Sequence, residues 1–257
     1  MSSNPRHLRP TLTSTYDFLR YYAKDKQKKD EKVFCLQIGA NDGNTGDPVH
    51  EYFVNRGWFG LLVEPQLDVF EKGLKKTYAG NSQVILENVA LGNANGQLPF
   101  YRVAISKSTW ATGLSSFNRG NIEKLIADGY VIRKAQAEGL KIPENPADLI
   151  ETVQVPTMTV ESLFLKYQIK NFQVLCIDTE GYDLEILKLI DLKKFTPEVI
   201  FFESKHLSDK DFIESKTMLT RFGYTLFWQK GDTLAIKYPY PLRKRISGWM
   251  KAFVQKL

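Results

Sequence analysis

Cysteine is almost missing from this 257-residue chain. Only Cys35 and Cys176 occur, and both fall inside apolar, strand-like runs. Neither a disulfide framework nor a cysteine zinc site is expected from such usage, which fits a reducing compartment. Histidine is nearly as scarce, with His7, His50 and His206 alone. No apolar run approaches the ~20 residues of a membrane-spanning helix. The opening MSSNPRHLRP lacks the apolar stretch of a secretory signal. The expectation is therefore a cytoplasmic protein, or at most one peripheral to a membrane. There is no low-complexity tract and no internal repeat.

One-signed charge is also lacking over most of the chain. The net charge is +6, but residues 242–257 carry five basic side chains and no acid. The rest holds 30 basic against 29 acidic residues. So near-neutral a body, without an aromatic-basic stripe, argues against a nucleic-acid partner. In the tail, Leu242, Ile246, Trp249, Met250, Phe253 and Leu257 fall on one helical face, with basic residues elsewhere. That pattern predicts a basic amphipathic helix over 242–257. It would dock on the protein or a second subunit, or lie on anionic lipid.

What is present is an alternation of strand and helix patterns. Strands are expected at Val33–Ile38, Phe59–Val63, Val84–Leu91, Phe172–Ile177 and Glu198–Phe202, and a closing hairpin at Tyr224–Gln229 and Thr233–Lys237. Helices are expected at Thr13–Ala23, Asp47–Arg56, Leu67–Tyr78, Asn121–Gly139, Thr159–Tyr167, Leu184–Ile190 and Ser208–Phe222, with a Lys-rich loop at Lys24–Lys32 and a polar loop at Ser106–Asn118. Strands separated by helices demand a mostly parallel sheet, hence an α/β fold. The alternation lapses only over 98–155, which reads as an insertion on the substrate side of one domain spanning 1–241.

Two strand ends carry the chemistry. After the first strand comes Gly39-Ala-Asn41-Asp42-Gly43-Asn-Thr-Gly46. Such a turn lets the backbone approach a ligand closely. Its spacing is not that of the dinucleotide fingerprint, and Asp42 would repel a pyrophosphate. An acid there suits a cationic partner, such as an amino group or a sulfonium. Glu64, closing the second strand, is placed to accept both ribose hydroxyls of an adenosine ligand. Asn88 and Val89, late in the third, are candidates for the adenine edge. After the fourth strand comes Asp178-Thr-Glu180-Gly181. Two converging acids could bind a divalent metal, hold an amino group or act as a base. Capping of the following helix is the plainer role, and the better one for Glu180. His206, just beyond Glu203 on the same sheet edge, is the best-placed histidine for a general base.

Three blocks, VFCLQIGANDGNTGDPV at Val33–Val49, VEPQLDVFEKGL at Val63–Leu74 and VLCIDTEGYDLEILKLI at Val174–Ile190, resemble the FkbM-type family of S-adenosylmethionine-dependent methyltransferases. The stretches ENVALGNANGQLPFY and VPTMTVESLF match more weakly. The resemblance runs from about Val33 to Glu203. It implies a class I methyltransferase (Rossmann-like) fold: a seven-stranded, mostly parallel sheet with helices on both faces and a terminal antiparallel strand. It also implies methyl transfer from S-adenosylmethionine to an oxygen, often a hydroxyl of a sugar, glycolipid or secondary metabolite. The chain departs from the family pattern in having Cys176 where a lysine is common, and Ser204-Lys205 before His206.

On that resemblance, Gly39, Asn41, Asp42 and Gly43 would serve the methionine part of the cofactor, Glu64 the ribose, and Asn88 with Val89 the adenine. Asp178 would lie beside cofactor and acceptor, with His206 as a candidate base. Trp110, Ser115 and Ser116 of the insertion, with Glu180, would face the acceptor. No metal ligands are assigned. The competing readings are a nicotinamide-dependent oxidoreductase, a non-catalytic cofactor-binding module and, more weakly, a nucleic-acid methyltransferase.

Overall fold

The computed structural model describes residues 15–229 and 231–237, and the backbone of 251–252. Five strands form its parallel core: β1 (Phe34–Ile38), β2 (Phe59–Val63), β3 (Val84–Glu87), and, after a long excursion, β7 (Val174–Ile177) and β8 (Val199–Glu203). The excursion carries β4 (Ala90–Leu91), β5 (Gly96–Val103) and β6 (Ile150–Met158), and the chain closes with β9 (Thr225–Gln229), β10 (Asp232–Ile236) and β11 (Lys251–Ala252). The main sheet runs β11-β9-β10-β8-β7-β1-β2-β3. Pairing from β3 through β8 is parallel, and β10, β9 and β11 are antiparallel. The expected seven strands are thus present, with β11 as a short eighth. The helix anticipated over 242–257 lies outside the described residues apart from Lys251–Ala252. There the backbone is extended and pairs with Trp228 and Phe227, so these two residues are not helical.

Alternate strand residues face opposite sides, and both sides are covered. Cys35, Leu62, Val174, Cys176, Val199 and Phe201 pack with Phe18 and Tyr22 of the first helix, Thr15–Lys28, and with Phe53 and Leu74. Leu36, Leu61, Leu175, Ile177, Ile200 and Phe202 pack with Leu163, Ile186 and Leu219, from helices Val160–Lys166, Asp183–Leu189 and Asp209–Arg221. Both cysteines are buried free thiols. Among the described residues no helix is long and apolar enough to cross a membrane.

Three sequence expectations need correction. The first helix runs on to Lys28 through the stretch anticipated as a Lys-rich loop. Lys26 lies within it, buried, and pairs with Glu31 and Glu198. The strand expected over Val84–Leu91 is two strands. Asn88 Nδ2 donates to the carbonyls of Glu64 and Pro65, which ends β3 and sends the chain into a second sheet, β4-β6-β5. The segment 106–118 is not wholly loop, since Thr109–Thr112 is a short helix. The insertion otherwise follows its pattern. It hangs from the antiparallel β5–β6 stem and has a small core of its own around Val103, Ala111, Ile122, Val131 and Ile150.

β1 sits between β2 and β7, where the strand order reverses. In open parallel sheets a crevice forms outside the carboxyl ends of the strands at that point. Here the ends are close-set. A Cβ built on Gly39 would fall 1.8 Å from the Asp178 carbonyl oxygen, and Gly39 has φ +81°. Gly46 also has a positive φ, +72°, but nothing lies within 4 Å of its Cβ position. Gly46→Ala should therefore cost only the left-handed backbone penalty, about 1–2 kcal/mol. Gly39→Ala adds a clash with the backbone of β7's end and should cost several kcal/mol more. Urea unfolding of the two variants checks the difference, and equal losses would contradict the close approach.

Candidate active site

A cleft opens at this switch point. Its floor is the ends of β1, β2 and β7: Ile38, Gly39, Asn41, Val63, Glu64 and Asp178. One wall is apolar, from Val89, Leu91, Phe100, Phe117 and Tyr182. The Phe117 ring packs against Phe100 at 4.9 Å and Tyr182 at 5.2 Å, so insertion and main sheet meet through aromatic rings.

Glu64 is the most constrained group on the floor. It is only 3% exposed. One carboxylate oxygen accepts the Asn41 N–H at 2.9 Å and the other the Gln66 N–H at 2.8 Å. Burial pushes its carboxyl up to about 7, and these two N–H donors only partly counter that. An anionic oxygen accepts more than one hydrogen bond, so hydroxyl donors in the cleft can still bind there.

Asp178 opens onto the cleft, and its N–H donates to the Ile38 carbonyl. Although its side chain is reachable by solvent, protein surrounds it on most sides. That desolvation, then the like charges of Glu203, Glu180 and Asp183, push its carboxyl well above the usual range. Asp183 is fully buried and is pushed up to about 7, by burial first and then by Glu203. Its Oδ2 accepts from the Thr179 hydroxyl and the Gly181 N–H, so it stabilises the turn into its own helix.

Glu180 has φ +51°, unusual for a residue with a side chain. Its carbonyl is gripped by Ser116 Oγ at 2.9 Å and Asn121 Nδ2 at 2.7 Å, both from the insertion. The turn aims the Glu180 carboxylate at His206, whose Nε2 is 3.0 Å away and 3.6 Å from Glu203 Oε2. Lys205 pairs with the other Glu203 oxygen.

Of the predicted residues, Gly39, Asn41, Glu64, Val89, Ser115, Asp178 and Glu180 line the cleft, and His206 reaches it through Glu180. Five do not line it. Asp42 spends its carboxylate on the Asn44 and Thr45 N–H groups and the Thr45 hydroxyl, holding its own turn instead of facing a cation. Gly43 packs under Leu74 and Tyr78. The Asn88 amide is used on the backbone carbonyls of Glu64 and Pro65, away from any adenine edge in the cleft. Trp110 Nε1 donates to Glu138 inside the insertion, and Ser116, fully buried, serves the Glu180 turn rather than an acceptor. Sequence reasoning passed over Gln66, buried beneath the cleft with Nε2 donating to the Thr112 carbonyl and Oε1 accepting from Ser115. It also passed over Thr112, Gly113 and Phe117. The polar Gln66, two places after a strand-end acid, was the one available signal.

Fold and cleft together define an α/β protein built to hold a nucleoside-type ligand at its switch point. The chain belongs to the methyltransferase FkbM domain family, whose model matches residues 37–226. Membership of that family implies S-adenosylmethionine as its cofactor. No curated protein sequence matches the chain. Among solved structures it is similar to the methyltransferase FkbM of Methylobacillus flagellatus KT, with 11% identity and TM-score 0.48, over 80% of this chain and 43% of that one. The chain thus spans less than half the length of that protein. It is also similar to the N-terminal domain of human METTL16 in complex with SAH (13% identity, TM-score 0.41, 93% and 75% covered). A third is the precorrin-6y C5,15-methyltransferase of Geobacter metallireducens GS-15 (11%, 0.39, 89% and 93%).

Glu64 sets a pH dependence. The folded chain holds its proton more tightly than the unfolded chain, where the usual value of 4.5 applies. The resulting stability is full below about 4.5 and is lost as pH rises through about 7, at up to about 1.4 kcal/mol per pH unit. Urea unfolding of the ligand-free protein at pH 5, 6 and 7 should show stability falling. In Glu64→Gln that fall should shrink by roughly this slope, and an unchanged fall would assign the effect to other acids.

Proposed function

We propose that this methyltransferase acts on a hydroxyl oxygen of a sugar, glycolipid or secondary metabolite. The observation that carries the reading is the Glu180–Glu203–His206 group, set at one end of a cleft whose other end suits a nucleoside. A hydroxyl is a poor nucleophile until its proton is drawn away, and this group puts proton-accepting side chains at that end. The balanced charge outside 242–257 supports a small-molecule or carbohydrate acceptor over a nucleic acid.

The cleft's own chemistry fits the cofactor. Glu64, an acceptor-only carboxylate at the end of β2, would take the ribose hydroxyls. Val63, Val89, Leu91 and Phe100 offer an apolar slot for the purine. Gly39, which must lack a side chain, and Asn41 would border the methionine part, with Asp178 the nearest free carboxylate for its cationic centres. The cofactor, when bound, supplies an electrophilic methyl on a sulfonium. The protein's share is alignment, exclusion of water and handling of the acceptor proton. Ser115, Phe117 and Tyr182 would shape the acceptor's approach, and the Glu180–Glu203–His206 group would lower the cost of removing its proton.

Two measurements test this. In thermal shift, S-adenosylmethionine and its demethylated product should raise Tm, and NAD should not. Glu64→Ala should weaken that binding about tenfold to a hundredfold, the worth of a hydrogen bond to a charged group. Incubation with methyl-labelled cofactor and an acceptor panel should label hydroxyl compounds. A shift with NAD alone would favour an oxidoreductase, and binding without turnover across the panel would favour a non-catalytic module.

A further inference from the structure

Three ligand-type side chains from separate elements converge beside the cleft. Glu180 comes from the turn after β7, Glu203 is the last residue of β8, and His206 lies in the loop behind it. One ligand atom from each lies within 4.8 Å of the others. His206 Nε2 stands 3.0 Å from Glu180 Oε2 and 3.6 Å from Glu203 Oε2. Donors bonded at about 2.1 Å to one ion stand about 3.0 Å apart at octahedral angles and about 3.4 Å at tetrahedral ones. The two observed spacings bracket that range.

A second observation is independent of the spacing. Glu203 is 8% exposed, and its Oε2 is buried with no hydrogen-bond partner. Its other oxygen is already paired with Lys205, so the bare oxygen is the one aimed at His206. A buried, unsatisfied carboxylate oxygen costs more than an unsatisfied neutral group and calls for a partner such as a water or an ion; His206 Nε2 is likewise buried without a hydrogen-bond partner. The turn at Glu180 agrees. A non-glycine residue held at positive φ by two side-chain donors is backbone strain kept in place to aim a side chain.

We propose that Glu180, Glu203 and His206 hold a divalent metal ion at the acceptor end of the cleft. Two carboxylates and an imidazole suit Mn2+, Co2+ or Zn2+ better than Mg2+ or Ca2+, which favour all-oxygen sets. Three protein ligands leave positions open, and Glu180 lines the cleft, so an open position faces the acceptor. The ion lowers the proton affinity of a hydroxyl bound to it. It also favours acceptors with two adjacent oxygens, a vicinal diol or a hydroxyl beside a carbonyl. The use of the ion rests on the methyl-transfer reading, whereas its binding does not.

Calorimetric titration of the purified full chain with MnCl2, and separately with ZnCl2, tests the site, with bound Mn2+ counted by electron paramagnetic resonance. One equivalent should bind. Glu203→Gln and His206→Asn should each weaken binding tenfold or more, and His50→Asn, remote from the cleft, should leave it unchanged. Affinity for the demethylated cofactor, measured on the same samples, reports that each variant is folded and separates the two readings. No saturable one-to-one binding of either ion, or equal binding in Glu203→Gln and His206→Asn, would overturn the metal site. Cofactor binding that persists in that case would leave the methyltransferase reading standing, and the three side chains would be an ion-paired triad only.

Discussion

The approach of Gly39 to the Asp178 carbonyl governs the rest of the molecule. β1 and β7 are neighbours in register, Ile38 opposite Ile177, and both end at the same level. The two chains must then diverge from a shared point, and the room between them exists because position 39 carries no side chain. On one side of that point the Asn41 N–H reaches Glu64, and on the other the chain rises through Asp178 to the Glu180 turn. The Glu64 and Glu180 ends of the cleft are therefore fixed relative to each other by one backbone contact.

Electrostatics divides the site in the same way. At the Glu64 end a lone acid is buried against backbone N–H donors, which need no counter-charge. At the other end Asp178, Glu180, Asp183 and Glu203 crowd together, with Lys205 and His206 as the nearby basic groups. Burial and mutual repulsion push Asp178, Asp183 and Glu203 up together, so this end is short of positive charge. A sulfonium, a metal ion or both would supply it.

Much of the scaffold was legible in the sequence because its signals are local. Apolar runs closed by Gly39, Glu64, Asp178 and Glu203 mark four strand ends, and the first three became the floor of the cleft. What stayed hidden depends on contacts far apart in the chain. Asn88 breaks the third strand by reaching two carbonyls at the end of β2. Asp42 could be read as a cation partner only until its own turn claimed both oxygens. The Glu180–His206 contact requires a left-handed backbone that an acidic residue does not announce. Trp110 and Ser116 were placed correctly in the insertion, but the direction each one faces is set by Glu138 and by the Glu180 carbonyl.

The insertion's grip on Glu180 limits how this protein can diversify. An excursion on a β-hairpin stem looks like an exchangeable part, free to vary while the sheet keeps the chemistry. Here Ser116 and Asn121 reach from it to hold a strained residue of the parent fold, and Gly181 can have no side chain because the Asn121 amide fills that space. Replacing the insertion wholesale would release the turn along with the cleft wall that Phe100, Ser115 and Phe117 form. The cleft can be reshaped by small changes at Ser115 and Phe117 without disturbing that grip, whereas any grafted loop must bring two hydrogen-bond donors to the same carbonyl.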